Sequence, residues 1–220
     1  IGVDLRAGIA TGRFLPLLQG THLLGQIDEW VLEQAFAHLA TWQAQGHRLV
    51  PVSVNISARQ LQQADFPQQV GQILAETGLP ARSLRLEITE NVLVEDGCGM
   101  LLSLEKLKGM GVQLYIDDFG TGYSSLGYLN TLPADAIKID RSFVHSLGVV
   151  KSGHGVIQAI IQMAHELNIN VVAEGVETYE QHAELRRLHC EYVQGFFVSQ
   201  PLESGQVEGF IRSSPGASTA

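Results

Sequence analysis

Short apolar, β-branched runs alternate along this chain with longer stretches in which apolar residues recur every three or four positions. The first pattern suits buried strands and the second amphipathic helices. Strands are expected at 48–54, 84–88, 113–116, 136–139, 170–173 and 192–196. Helices are expected at 30–43, 66–77, 99–108, 155–167, 179–188 and 206–212, with a short helical turn at 124–130. Gly109 and Gly111 stop the third of these helices. Strands that alternate with helices imply a parallel sheet, because each return to the same edge needs a crossover.

The polar positions sharpen this picture. Asn55, Glu87, Asp117, Lys138, Glu174 and Gln194 each stand at the end of an expected strand. One functional group per strand end is the habit of a (β/α)8 TIM-like barrel, whose chemistry lies on the C-terminal face. A doubly wound sheet would instead gather its ligand at one switch point. A closed barrel of this type needs eight strands, so two more are expected before Arg48. Residues 1–29 are short for two strands and a crossover, so an element near the amino-terminal end is expected to be missing. The barrel domain is expected to span 1–212, with a small, polar, flexible tail at 213–220.

The densest chemistry lies in Ile116-Asp117-Asp118-Phe119-Gly120-Thr121-Gly122-Tyr123-Ser124-Ser125-Leu126. Two adjacent carboxylates close an apolar strand and open into a glycine-rich loop. Adjacent acids repel, and a divalent cation offsets that repulsion. Asn55, Glu87 and Asp117 form an oxygen-donor set that suits Mg²⁺ or Mn²⁺.

Composition narrows the field. Apolar residues make up 45% of the 220 and charged residues 17%, a globular rather than a disordered balance. The formal net charge of -9 argues against polymeric nucleic acid and anionic membranes as partners. A phosphorylated small ligand stays compatible, because a bound metal inverts the local field. Two cysteines, Cys98 and Cys190, make no disulfide framework and point to a reducing, cytoplasmic setting. No apolar run is long enough to span a membrane, and no signal peptide is seen. The eight histidines lack metal-ligand spacing, and there is no Ser–His nucleophile pattern or dinucleotide glycine fingerprint.

Seven ordered segments resemble the EAL-domain family of cyclic di-GMP phosphodiesterases and their degenerate binding relatives. They are Val54-Asn55-Ile56-Ser57, Leu86-Glu87-Ile88-Thr89-Glu90, Asp117 to Leu126, Leu132-Pro133-Ala134-Asp135, Lys138-Ile139-Asp140, Val172 to Thr178, and Gln194-Gly195-Phe196 with Pro201. Phe14 to Leu17 and Ile27 to Leu32 resemble the approach to the family's first long helix. The family's Glu-Ala-Leu segment itself is absent. Val3 to Gly8 resembles the turn before it, and Ile9 to Phe14 resembles a later segment.

The resemblance implies a barrel with one strand antiparallel and hydrolysis of cyclic di-GMP to linear pGpG by metal-activated water. It assigns Asn55, Glu87 and Asp117 to one metal, and Asp117, Asp118 and Glu174 to a second. It places Lys138 beside the attacking water, and Gln194 and Pro201 against substrate. Glu90 would anchor the glycine-rich loop, Asp140 would position Lys138 or that loop, and Glu177 would support the ligand set from behind. Homodimerisation and flanking sensor or cyclase domains are the implied associations.

Plainer roles compete at each position. The plainer role is a helix cap for Asp118, a structural salt bridge for Lys138, a surface acid for Glu90 and a first-turn acid favoured by the helix dipole for Glu177, and the functional role is the expectation at each. Tyr123, Phe196 and Phe197 can stack on guanine, but core packing is the expectation for the two phenylalanines. The rival reading overall is an inactive receptor. A complete set of mutually repelling carboxylates speaks against it, since a receptor has no physical need for one.

Overall fold

The computed structural model describes residues 22–95, 97–122, 129–147 and 151–213. The amino-terminal motif residues, the loop residues from Tyr123 onward and most of the expected tail lie outside the described residues. The rest falls into two compact units, 22–49 with 199–213 and 50–198.

The first unit contains helix α1 (His22–Ala44) and helix α9 (Ser204–Ser213). Along α1 the buried positions Leu32, Ala35, Phe36, Leu39 and Trp42 recur at helical spacing. The helix starts earlier than the expected residue 30, because Leu23, Leu24 and Ile27 extend the same spacing.

The second unit runs β1 (Val52–Asn55), α2 (Ala58–Leu61), α3 (Phe66–Thr77), β2 (Leu84–Thr89), α4 (Glu90–Glu95), α5 (Gly97–Gly109), β3 (Gln113–Phe119), β4 (Ala136–Ile139), α6 (Arg141–His145), α7 (Lys151–Glu166), β5 (Asn170–Glu174), α8 (Tyr179–Arg187) and β6 (Tyr192–Gln194). Local chemistry explains many of the boundaries. Pro51 cannot donate to a ladder and precedes β1. Gly78, at φ +64, closes α3 in the left-handed conformation. Reciprocal capping boxes open α2 at Ser57 and α8 at Thr178. Helices α2, α4 and α6 were not expected from periodicity, being four to six residues long.

The six strands form one sheet in sequential order, and every neighbouring pair is parallel. Sequential order without a switch point is the wall of a TIM-like α/β barrel rather than a doubly wound sheet. The antiparallel strand implied by the resemblance is not among the described residues.

The register sorts the side chains by chemistry. Leu86 pairs with Leu114, Ile88 with Ile116, Ile137 with Val171, and Ile139 with Ala173, giving one aliphatic face. These residues are all at most 4% exposed. The alternate positions give the other face, where Asn55 pairs with Glu87, Thr89 with Asp117, Lys138 with Val172, and Glu174 with Gln194. A period of two along each strand thus places every strand-end polar group on one face. The row steps toward the C-terminal end from β1 to β5, the stagger that strand tilt imposes on a barrel wall.

Candidate metal and active site

Lys138 sits at the centre of that row. Its Nζ lies 2.7 Å from Glu87 Oε2, 2.7 Å from Glu174 Oε1 and 3.0 Å from Asp117 Oδ1, with only 4% of the side chain exposed. Burial alone pushes a lysine toward neutrality. Here the carboxylates of Glu87, Glu174 and Asp117 outweigh burial and hold Lys138 above its ordinary value, so it stays an ammonium. Three strands therefore converge on one cation. Removing it would leave largely buried carboxylates uncompensated.

Asp117 and Asp118 reach a common place through a backbone irregularity. Successive residues on a regular strand point to opposite faces. Between Ile116 and Phe119 the register with β4 shifts, and Phe119 rather than Asp118 pairs with Ile139. Asp118 is the extra residue of this bulge and takes φ +55, the left-handed region. Its N–H donates to Asp117 Oδ1 at 3.0 Å. As a result one oxygen each from Asp117, Asp118 and Glu174 lies within 4.8 Å of the others.

These acids are short of positive charge. Burial, then the Asp117 charge, raise Asp118 above its ordinary value. Burial also raises Glu174, more than Lys138 lowers it. Four carboxylates, those of Glu87, Asp117, Asp118 and Glu174, face the one ammonium of Lys138. Hard oxygen donors of this kind, partly buried and with excess negative charge, fit Mg²⁺ or Mn²⁺. Asn55 stands at the exposed end of β1, paired in register with Glu87.

The remaining predicted residues are placed as follows. Glu90, at the start of α4 and 6% exposed, accepts the Gly120 N–H at 2.9 Å, so it ties β2's end to the loop after the aspartate pair. Gln194 is exposed at the end of β6, beside Glu174 in the ladder. Pro201 is exposed and belongs to the other compact unit. Glu177 is exposed, 3.5 Å from His145 Nε2, and its N–H donates to Gln181. Phe196 and Phe197 do not pack in the core as expected. β6 stops at Gln194, so both lie beyond the strand, 56% and 39% exposed, with Phe197 stacked on His182. Among the histidines, His145 and His165 pair with glutamates.

Asp140 caps α6. Its carboxylate accepts the Ser142 N–H at 2.9 Å and the Ser142 hydroxyl. Burial pushes this acid up, but those bonds and the Arg141 N–H outweigh it and hold the acid below its ordinary value. A depressed carboxylate stabilises the fold above its unfolded pKa and loses that contribution as pH falls through the lowered folded value. Asp140→Ala is therefore expected to cost about 1 kcal/mol at neutral pH. In urea melts the deficit should shrink once pH drops well below 3.8, the ordinary value. A deficit unchanged in acid would refute the cap.

Arg141 was not singled out from sequence. It follows Asp140 at the same strand end, is exposed, and its charge opposes the upward shift of Asp118. Its position one step past a strand-end motif was the available signal.

The EAL domain family model matches residues 4–201. Cyclic di-GMP phosphodiesterase NbdA of Pseudomonas aeruginosa is 44% identical over 201 residues, covering 91% of this chain and 26% of that protein. The bifunctional diguanylate cyclase/cyclic di-GMP phosphodiesterase MucR of the same organism is 42% identical over 199 residues, 90% of this chain and 29% of that protein. The chain thus spans under a third of the length of these curated relatives. A solved structure of the MucR phosphodiesterase in complex with cyclic di-GMP superposes with TM-score 0.85, covering 90% of this chain and 81% of that one. A manganese and cyclic di-GMP complex of Klebsiella pneumoniae BlrP1 superposes with TM-score 0.74 at 28% identity, covering 81% of this chain and 45% of that one. The chain belongs to the EAL-domain family.

Proposed function

We propose that this domain is a divalent-metal-dependent phosphodiesterase that hydrolyses cyclic di-GMP to linear pGpG. The observation that carries the reading is the Lys138 ammonium held by Glu87, Asp117 and Glu174 beside the Asp117–Asp118–Glu174 oxygen cluster. A receptor gains nothing from so much charge held in one place. The relatives' names supply the substrate class, and the family supplies the prior for its chemistry.

Asn55, Glu87, Asp117, Asp118 and Glu174 would hold one or two Mg²⁺ or Mn²⁺ ions, with Asp117 shared. A bound pair supplies Lewis-acid stabilisation of charge on the phosphoryl oxygens and lowers the pKa of water at the site. This chain's own groups do the rest. Lys138 is held by three carboxylates, so it presents a fixed positive charge beside the attacking water and a developing phosphoryl charge. Glu174, raised by burial, is placed on the same ammonium and hydrogen-bonds it, which makes Lys138 and Glu174 the catalytic pair. Gln194 would orient substrate from the neighbouring strand end, and Pro201 is the other residue proposed to bind substrate. Glu90 restrains the glycine-rich loop through Gly120, and Asp140 and Glu177 support the turns after β4 and β5.

The test is hydrolysis of cyclic di-GMP with Mg²⁺ or Mn²⁺, using protein of known intact mass. pGpG formation supports the enzyme. Tight cyclic di-GMP binding without turnover would instead support the receptor reading, which true loss of the Glu-Ala-Leu glutamate would favour. Metal linkage gives a second check. Mn²⁺ at a hundred times its Kd should stabilise the fold by about 2.7 kcal/mol, seen as a Tm rise that a chelator reverses. An unchanged Tm would argue against any working metal site.

The domain would act within a longer protein that carries sensor or cyclase domains, and as a homodimer. We place it in the cytoplasm, where its substrate class would be met. No helix among the described residues is long and apolar enough to cross a membrane.

A further inference from the structure

Two strand ends supply the acids of the oxygen cluster, and the turns that follow them both bring a glycine against the same five-residue helix. Gly120 follows Asp118 by two residues and takes φ +93. A Cβ there would stand 2.9 Å from Phe143 Cε2 and 3.1 Å from Phe143 Cζ. Gly175 follows Glu174 directly and takes φ +68. A Cβ there would stand 2.5 Å from the Arg141 Cβ and 3.3 Å from the Arg141 Cα. Both glycines therefore lie close against α6, Gly120 against the tip of the Phe143 ring and Gly175 against the stem of Arg141.

The helix is itself fixed. Asp140 caps its start, and Val144, fully buried, anchors its far side. The Gln181 side-chain amide donates to the Val144 carbonyl at 3.4 Å, which ties α6 to α8. The β3 loop, by contrast, holds a non-glycine residue at positive φ. Asp118 at φ +55 needs outside restraint to stay there. Glu90 supplies one restraint through the Gly120 N–H, and Thr121 Oγ1 supplies another by donating to the Asp118 carbonyl at 2.8 Å. The Phe143 ring is the restraint on the opposite side of Gly120.

We infer that α6 is a spacer between the two metal-ligand loops, with Phe143 as the positioning residue that sets where Asp118 stands relative to Glu174. This rests on the metal-site reading above. Phe143 touches no reacting atom and acts through Gly120. Divalent sites tolerate little error in ligand placement, and removing a supporting group outside the ligand shell typically weakens metal affinity about 10- to 100-fold. The same geometry explains why glycine is required at 120 and 175, where a methyl would push the loops off the helix.

The experiment is a calorimetric Mn²⁺ titration of the full chain, with the metal-free Tm measured alongside. Phe143→Ala is expected to weaken Mn²⁺ binding about 10- to 100-fold. Phe143→Leu, which keeps most of the bulk, should restore much of that loss and serves if the alanine variant folds poorly. Val70→Ala, at a fully buried position of α3 and off the spacer helix, is the control. It should lower the metal-free Tm at least as much as Phe143→Ala while leaving Mn²⁺ affinity unchanged. Wild-type affinity in both Phe143 variants would overturn the inference. So would an equal loss in Val70→Ala, which would mean that general destabilisation is the cause. If wild type binds Mn²⁺ and the variants follow the expected order while no pGpG forms, the phosphodiesterase reading fails and the spacer stands. If wild type binds no Mn²⁺, both fall together.

Discussion

Replacing Lys138 by alanine is expected to abolish cyclic di-GMP hydrolysis, lowering kcat by at least about 10³-fold, within the range a positioned proton-transfer or charge-stabilising group supplies. The side chain is 4% exposed and lies within 3.0 Å of oxygens from three different strands. Lys138→Arg should not rescue, because a planar guanidinium cannot stand where a compact ammonium meets three converging carboxylates. The same variant tests stability. Removing one partner of a buried ionic group costs about 3–5 kcal/mol by stranding the others. A divalent cation added to the site replaces the missing positive charge. The Tm gap between Lys138→Ala and wild type should therefore narrow with Mn²⁺, while activity stays lost. Single-turnover assays and melts with and without Mn²⁺ check both halves. Activity within about tenfold of wild type would remove Lys138 from the catalytic reading.

The second large effect is expected at Asp117. It contacts Lys138 Nζ at 3.0 Å, accepts the Asp118 N–H through that same oxygen, and belongs to the oxygen cluster with Asp118 and Glu174. Asp117→Asn keeps the shape and removes the charge. Mn²⁺ affinity should fall at least about 100-fold, and hydrolysis should fall with it, because a shared ligand serves every ion in the site. Asn55→Ala should do less, since Asn55 is neutral and exposed at the end of its strand. The comparison is made by Mn²⁺ titration of both variants. Equal losses would mean that Asp117 is not the shared ligand.

Much of this site was legible in the chain. Each strand-end polar residue sits at the close of an apolar run, and a parallel sheet puts such ends on one rim. Asn55, Glu87, Asp117, Lys138, Glu174 and Gln194 could therefore be assembled before any coordinates. Glu90 was less transparent. Three positions after Glu87 it reads as well for a surface acid, and only its contact with the Gly120 N–H gives it a target. Asp140 was placed near the site but not as a cap, because the five-residue helix it opens is too short to leave a periodic signal. Phe196 and Phe197 look like core by composition. They are exposed because β6 ends before them at Gln194; at Gly195, just past it, a Cβ would meet the Val176 carbonyl oxygen at 2.2 Å.

The sequence by itself determined the alternation of strand and helix, the sequential order of the sheet and the residues that carry charge at its rim. These follow from local periodicity and from the rule that parallel neighbours need a crossover between them. Tertiary structure alone decided how those groups meet. The bulge at Asp118 turns two adjacent carboxylates toward one place, against the strict alternation the sequence pattern implies. The stagger between strands brings Glu87, Asp117 and Glu174 to one ammonium. A short helix lies close against two glycine turns. Each of these depends on contacts between residues far apart in the chain, and periodicity along one segment carries no information about them.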